Sequence, residues 1–271
     1  MKTEILGLLA ETSIHPGSGQ DAGFVDLPVA REAATDYPVI VGSSFKGALL
    51  DRARSEDAID ETTQKRVFGE QESAGALVVS DVRLVALPVR SLTSTYKWTT
   101  SAHLIERLLR DMQRAGRNGK PLEVPRPEKC KYIGAGDRDL YLEERQFGRA
   151  GDLPADVLGL LRSLVANESA AARLKDQLVI LHDDDFAWFA RYGLAVNARN
   201  VLDNETKTSK NLWYEETIPP DSLFYCLLAE RSDDAIATVK ALFRERPYIR
   251  VGANETVGQG WFAIQWLGGD A

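Results

Sequence analysis

Gly42–Leu50, GSSFKGALL, follows the polar loop His15–Asp26, HPGSGQDAGFVD, and the reading of the chain turns on these two stretches. Ser43 or Ser44 can cap a helix here. Phe45, Ala48, Leu49 and Arg52 then fall at i, i+3, i+4 and i+7, which gives that helix one mostly apolar face. The spacing predicts a helix over 44–54. Lys46 is out of place on stability grounds, because a cation in the first turn opposes the helix dipole. Open first-turn amides beside a lysine suit a phosphate. The plain alternative is a surface lysine on an ordinary capped helix.

Outward from this helix, Thr3–Thr12 alternates weakly and reads as a half-buried strand. Ala76–Val89 reads as a strand or hairpin arm, Ser91–Ser101 as a loop, and His103–Ala115 as a helix stopped by Gly116. Arg117–Arg138 has Gly, Pro, Lys and Arg without periodicity and reads as a mobile basic insertion. Further on, a helix is expected over 154–166, a strand over 177–181, and a short helix over 186–192 capped by a preceding aspartate. Leu194–Tyr214 reads as two arms around the polar turn Asp203–Lys210. A strand over 222–230, an amphipathic helix over Asp233–Arg246 started by Ser232 and ended by Pro247, the loop Gly252–Gly260 and a strand over 261–267 close the chain. Without the insertions, the order is strand, helix, strand, repeated once. That predicts an α+β, ferredoxin-like (RRM-like) sheet with helices on one face.

The bulk numbers narrow the function. The 271 residues allow one large domain or two small ones. No apolar run approaches the roughly 20 residues that cross a bilayer, and no signal peptide opens the chain, so a cytoplasmic protein away from membranes is expected. Cys130 and Cys226 form no CxxC pair, which argues for reduced thiols and against a cysteine zinc site. A net charge of −7 disfavours non-specific coating of nucleic acid but permits a local basic groove, and cations do cluster in Arg107–Lys131 and Lys207–Lys210.

Three stretches invite chemistry. His182–Asp185, HDDD, has metal-ligand residue types, yet adjacent strand residues point to opposite faces and aspartates before a helix make a natural cap. Gly252–Gly260, GANETVGQG, is not GxGxxG and precedes a strand, so it is a plain turn or a bare backbone that approaches a polynucleotide. In the first loop, Asp26 can assist attack by a ribose hydroxyl or orient a hydrated metal, whereas Asp21 and Asp26 can also simply turn the chain.

Taken in order, His15–Glu32, Tyr37–Arg54 and Gly252–Phe262 resemble the repeated backbone subunit of type III-B CRISPR effector (Cmr) complexes, a RAMP-superfamily protein. Leu212–Tyr225 is similar to the segment by which that subunit leaves its thumb. The VDLP run, Val25–Pro28, fits the Cmr version better than the related type III-A subunit. Val41 departs from the family's usual proline in IPGSS.

The resemblance implies a single domain over 1–271 shaped like a right hand. It has a ferredoxin-like palm, a fingers insertion near 91–150 and a protruding thumb β-hairpin near 193–221. It further implies copies stacked as a helical filament on a crRNA beside other Cmr subunits. Such a filament cuts complementary target RNA at six-nucleotide intervals. Asp26 matches the family's essential aspartate, with His15, Tyr214 and Glu215 or Glu216 as possible helpers. Ser43, Ser44 and Lys46 would hold the guide backbone, with Gly252, Asn254, Gly258 and Gly260 close beside it. The cofactor implied is Mg²⁺ or another divalent cation shared with RNA phosphates, with no dedicated protein site. Two other readings stay open: a crRNA-binding scaffold without nuclease activity, and a metal-dependent phosphohydrolase built on His182–Asp185.

Overall fold

Ile5–Ala10, ILGLLA, is apolar at odd and even positions alike, and the strand it forms is buried throughout that run. It is therefore not the half-buried strand its weak alternation suggested. A strand apolar on both sides must lie inside a sheet covered on both faces. The computed structural model describes residues 1–19, 24–55, 59–119, 121–136, 138–232 and 234–268.

In chain order the elements are β1 (Thr3–Ala10), β2 (Val39–Ile40), α1 (Gly42–Ser55), α2 (Glu61–Phe68), β3 (Gly69–Glu70), β4 (Ser73–Ala74), β5 (Leu77–Val79) and β6 (Val82–Arg90). Next come β7 (Tyr96–Ser101), α3 (Ala102–Arg114), β8 (Lys131–Gly134), β9 (Leu140–Leu142), β10 (Arg145–Gly151), α4 (Ala155–Arg162), α5 (Glu168–Gln177) and β11 (Leu178–Leu181). The chain ends with α6 (Asp183–Tyr192), β12 (Ala195–Leu202), β13 (Ser209–Thr217), β14 (Leu223–Glu230), α7 (Ala235–Ala241), β15 (Tyr248–Arg250) and β16 (Trp261–Trp266).

β16, β1, β14 and β6 lie side by side and antiparallel, with β15 outside β16. Beyond β6 the sheet runs on through β7, β11, β8, β10 and β9, where β7–β11 and β8–β10 are parallel pairs, so the sheet is mixed. Two cores cover it. Phe45 and Leu49 of α1 and Val239 of α7 pack with Leu6 and Leu8 on one face. Leu108 of α3, Leu161 of α4 and Leu174 of α5 pack with Ile5 and Leu9 on the other. Helices thus cover both faces, not one as the element order alone suggested.

Gly7 marks how closely the second layer approaches. A Cβ there would lie 2.3 Å from the Leu164 carbonyl oxygen, a backbone atom that cannot turn aside. Gly7→Ala is expected to cost about 3 kcal/mol, read as a lower urea midpoint at unchanged m-value.

The predicted arm over 76–89 is interrupted. From Val79 to Arg83 the chain advances four residues while β14 advances three, from Leu228 to Tyr225, and this extra residue makes a bulge at Ser80–Asp81. The bulge sets the start of α1. Asp81 Oδ1 accepts from Gly42 N at 2.8 Å, so the helix begins at Gly42 and neither Ser43 nor Ser44 is its cap. Gly42 is glycine because a Cβ would meet the Ser80 backbone at 2.9 Å.

Other boundaries also move. Ser91–Ser101 is not all loop: Tyr96–Ser101, YKWTTS, is β7, held by buried Trp98, Thr99 and Thr100. Arg117–Arg138 contains β8, anchored by buried Tyr132. α2 and α5, capped by Asp60 and Asn167, lie where no helix was expected, and β15 was missed. α6 starts at Asp183 and its cap is His182, whose Nδ1 accepts from Asp184 N at 3.1 Å. α7 spans only Ala235–Ala241, and the expected start at Asp233 lies outside the described residues. β12 and β13 form a two-stranded sheet of their own, around a turn in which Asp203 Oδ1 accepts from Glu205 N and Thr206 N.

Both thiols are free. Cys226 is fully buried, and burial holds its thiol far above the ordinary cysteine value, whereas Cys130 is exposed. Iodoacetamide treatment of the native protein is expected to label Cys130 and spare Cys226, read by peptide mass spectrometry.

Candidate nucleic-acid interface

The lower part of β13 organises the candidate site. Tyr214 is exposed, and the next three residues, Glu215–Thr217, are buried. The chain after Phe24 runs along this segment. Leu27 N donates to Tyr214 O at 3.1 Å and Glu216 N to Leu27 O at 3.0 Å, a parallel bridge that lays the Asp26 loop against the hairpin. Asp26 Oδ2 accepts from Tyr214 N at 2.7 Å. Its other oxygen has no hydrogen-bond partner among the described residues, and the side chain is exposed.

His15 reaches the same strand from the opposite end of the loop. The ring is buried and Nδ1 lies 2.7 Å from Glu216 O. A carbonyl only accepts, so Nδ1 is the nitrogen that donates to it. Asp26 and His15 are thus anchored two residues apart on β13, about 7 Å along a strand. The glycine loop packs against the His15 end of this arrangement. Ala253 N donates to His15 O at 3.0 Å and Gly260 N to Ser13 O at 3.0 Å. A Cβ on Gly252 would meet His15 O at 2.7 Å, and the residue's φ of +94° suits glycine. Gly258 has open space where a Cβ would sit, while Gly260 is tight against Val251 O.

The two glutamates are engaged elsewhere. Glu215 is buried, binds the side-chain amide of Asn254 and has Arg199 at 3.4 Å, so it ties the glycine loop to the hairpin. Asn254 also donates to Gln259 Oε1 at 3.0 Å. Glu216 pairs with Arg31 at 2.6 Å and accepts from Val29 N at 3.0 Å. Arg31 in turn donates to the Asp36 and Ala190 carbonyls, each at 2.8 Å. The Arg31–Glu216 clamp was not foreseen, because nothing in sequence links positions so far apart.

Ser43 and Ser44 are exposed in the first turn of α1, where Gly42 N goes to Asp81 and Phe45 N to Val41 O, and among the described residues the Ser43 and Ser44 amides have no such partner. Lys46 is partly buried. Burial, and then nearby Arg231, hold its ammonium below the ordinary lysine value. No carboxylate pairs with it among the described residues. The Asp26 loop leads straight into this turn, since Val39 N donates to Ala30 O at 3.0 Å and β2 follows.

The HDDD stretch is consumed by structure. Asp183 accepts from His103 N at 3.0 Å, Asp184 pairs with Lys129 at 2.6 Å, and Asp185 takes Cys130 N at 2.7 Å and Arg145 at 2.8 Å. Among the described residues no group of three or more His, Cys, Asp or Glu is placed to hold a metal. The role weighed for Asp21 as a turn former lies outside the described residues.

A sequence model of the RAMP superfamily matches residues 8–263 of the chain. The chain belongs to the RAMP superfamily. This RAMP protein is 34% identical over 97% of its length to a Pyrococcus furiosus protein, 95% of which is covered, that is named CRISPR system Cmr endoribonuclease Cmr4. Its fold matches the crystal structure of oligomeric Cmr4 from Pyrococcus furiosus with a TM-score of 0.78 and 27% identity, over all of both chains. A chain in a cryo-EM structure of a type III-B Cmr-beta complex bound to cognate target RNA shares the fold at a TM-score of 0.79 and 20% identity, over 98% of each chain. Among the described residues of this RAMP protein, no helix is long and apolar enough to cross a membrane.

Proposed function

We propose that this RAMP protein is a crRNA-binding backbone subunit of a cytoplasmic type III-B CRISPR effector complex and that it cuts complementary target RNA. Its relative in Pyrococcus furiosus carries the name endoribonuclease and crystallises as an oligomer, and the fold recurs in a complex bound to target RNA. The strand order β16–β1–β14–β6, with α1 following β1 and α7 following β14, supports reading this part as a ferredoxin-like palm. The β12–β13 hairpin, near 193–221, would be the thumb, and the stretch near 91–150 the fingers.

One observation carries the catalytic reading: an exposed carboxylate, Asp26, is held by one oxygen at the base of the hairpin and has its other oxygen to offer. The reaction it fits is attack by a target 2′-hydroxyl on its adjacent phosphate. Asp26 takes the hydroxyl proton, the new O–P bond forms, and the bond to the 5′-oxygen of the next nucleotide breaks. The 5′-oxygen leaves with the bonding pair and takes a proton from water, so the products are a 2′,3′-cyclic phosphate and a 5′-hydroxyl. A nucleotide splayed into line for attack supplies much of the rate. Tyr214, whose backbone amide holds Asp26, is exposed on β13 and can assist, whereas His15, Glu215 and Glu216 act by positioning. Ser43, Ser44 and Lys46 form the guide-backbone contact, and the bare backbone at Gly258 lies open to RNA.

Among the described residues no metal cage forms. Asp26 is exposed while Glu215 and Glu216 are buried, so Mg²⁺ or another divalent ion held at Asp26 would take its remaining ligands from RNA phosphates and water. The commitment of Glu215 and Glu216 to structural contacts favours the second reading, a scaffold without cleavage. The two separate in one experiment on guide-loaded complex and labelled target RNA, with magnesium or with chelator. Cuts six nucleotides apart, lost on chelation, are expected of the nuclease. Tight target binding without cuts in the wild type would establish the scaffold.

A further inference from the structure

Arg107, Arg110, Asp111 and Arg114 fall at i, i+3, i+4 and i+7 of α3 and line one groove of about 720 Å³. Arg31 and Arg83 line it too. Against these five guanidiniums stand three carboxylates, Glu32, Asp81 and Asp111, a balance of +2 on a chain whose net charge is −7. The groove is a built feature. Asp111 is buried and accepts from Tyr225 Oη at 2.7 Å, from Arg83 at 3.0 Å and from Arg114 at 2.9 Å. Arg107 is buried, forks onto Glu32 at 2.6 and 2.8 Å and donates to Leu84 O at 3.0 Å.

The internal carboxylates are saturated by these contacts, while the rim is not. A guanidinium carries five N–H donors, and Arg83 and Arg114 give only part of theirs to Asp111. Arg110 is exposed and has no acidic partner among the described residues. Planar forks at the edge of an open groove match phosphate oxygens. Position decides between RNA and an acidic protein. Val41 and Asp81 line the groove, and Asp81 holds Gly42 N, so the groove opens beside the turn that carries Ser43, Ser44 and Lys46.

We infer that the α3 groove is a second phosphodiester-binding segment, which extends the RNA backbone track from the first turn of α1 onto Arg83, Arg110 and Arg114. This rests on the reading of the α1 turn as a guide contact. The single-stranded backbone is the occupant, and the groove gives affinity without reading bases.

The test uses the full chain and a labelled single-stranded RNA, with anisotropy followed across a salt series. Arg110→Gln with Arg114→Gln is expected to weaken binding roughly tenfold near 0.1 M salt. The slope of log K against log salt should fall by about 1.4, or about 0.7 for each phosphate that is no longer neutralised. Arg110→Gln alone, which touches no ion pair of the groove floor, should lose about half of that slope. Replacing both by lysine should restore most of it. Wild-type slope and affinity in the glutamine variants, with Lys46→Gln still weakened, would overturn the groove and leave the guide-contact reading standing. Unchanged RNA affinity with impaired assembly of the complex would make the groove a site for an acidic protein and also overturn the inference. No RNA binding by the wild type would overturn both readings.

Discussion

Replacing Asp26 by alanine is expected to slow target cleavage by roughly 10²- to 10⁴-fold in the guide-loaded complex, with target affinity unchanged. The range is that of a general base removed from an otherwise intact site. Two features make the expectation specific. Asp26 is exposed, so its removal leaves no buried cavity, and the loop that carries it stays pinned by the Leu27, Val29 and Arg31 contacts. The lost hydrogen bond from Tyr214 N is worth about 1 kcal/mol. Asp26→Asn separates the two roles, because its amide oxygen still accepts from Tyr214 N but can take no proton. Single-turnover cleavage of labelled target should therefore fall in both variants alike. Undiminished cutting in Asp26→Asn would remove the proposed base, and recovery in asparagine but not alanine would assign Asp26 a positioning role only.

Glu216→Ala is expected to lower the unfolding free energy by about 3–5 kcal/mol and to slow cleavage as well. The pair it breaks is largely out of water: the Arg31 and Glu216 side chains are 17% and 10% exposed. Alanine would leave the Arg31 guanidinium against backbone carbonyls and strip Val29 N of its acceptor. Both losses fall on the segment that carries Asp26. Glu216→Gln keeps an acceptor for Val29 N while removing the charge, so it should lie between wild type and alanine in urea unfolding. A Glu216→Ala protein as stable and as active as wild type would show that the clamp positions nothing.

The helix over 44–54, the hairpin around 203–210 and the closing strand over 261–267 were legible because each is a local pattern: one apolar stripe, one polar turn between arms, one apolar run after glycines. α5 escaped notice since ESAAARLKDQ buries only Ala170 and Leu174 and has a weak periodic signal. β7 was hidden because Ser and Thr suggest loops, yet Thr99 and Thr100 satisfy their hydroxyls on the Leu87 and Val85 carbonyls and are buried. The two-faced sheet was written in ILGLLA, but a fully apolar strand does not say what covers it.

The sequence by itself determined the family, through blocks specific in combination, and it named candidates for the site. Asp26, His15 and the glycine loop could be named because each lies in such a block. Only the tertiary structure decided their use. Asp26 meets Tyr214 across 188 residues and Glu216 meets Arg31 across 185, and no local rule encodes such pairings. The same holds for Asp81, which takes over the α1 cap from the serines, and for Glu215, which is spent on the glycine loop. A side chain's residue type sets what chemistry it can do. Burial and the partners brought to it by distant strands set whether that chemistry is free for a substrate or used to hold the fold.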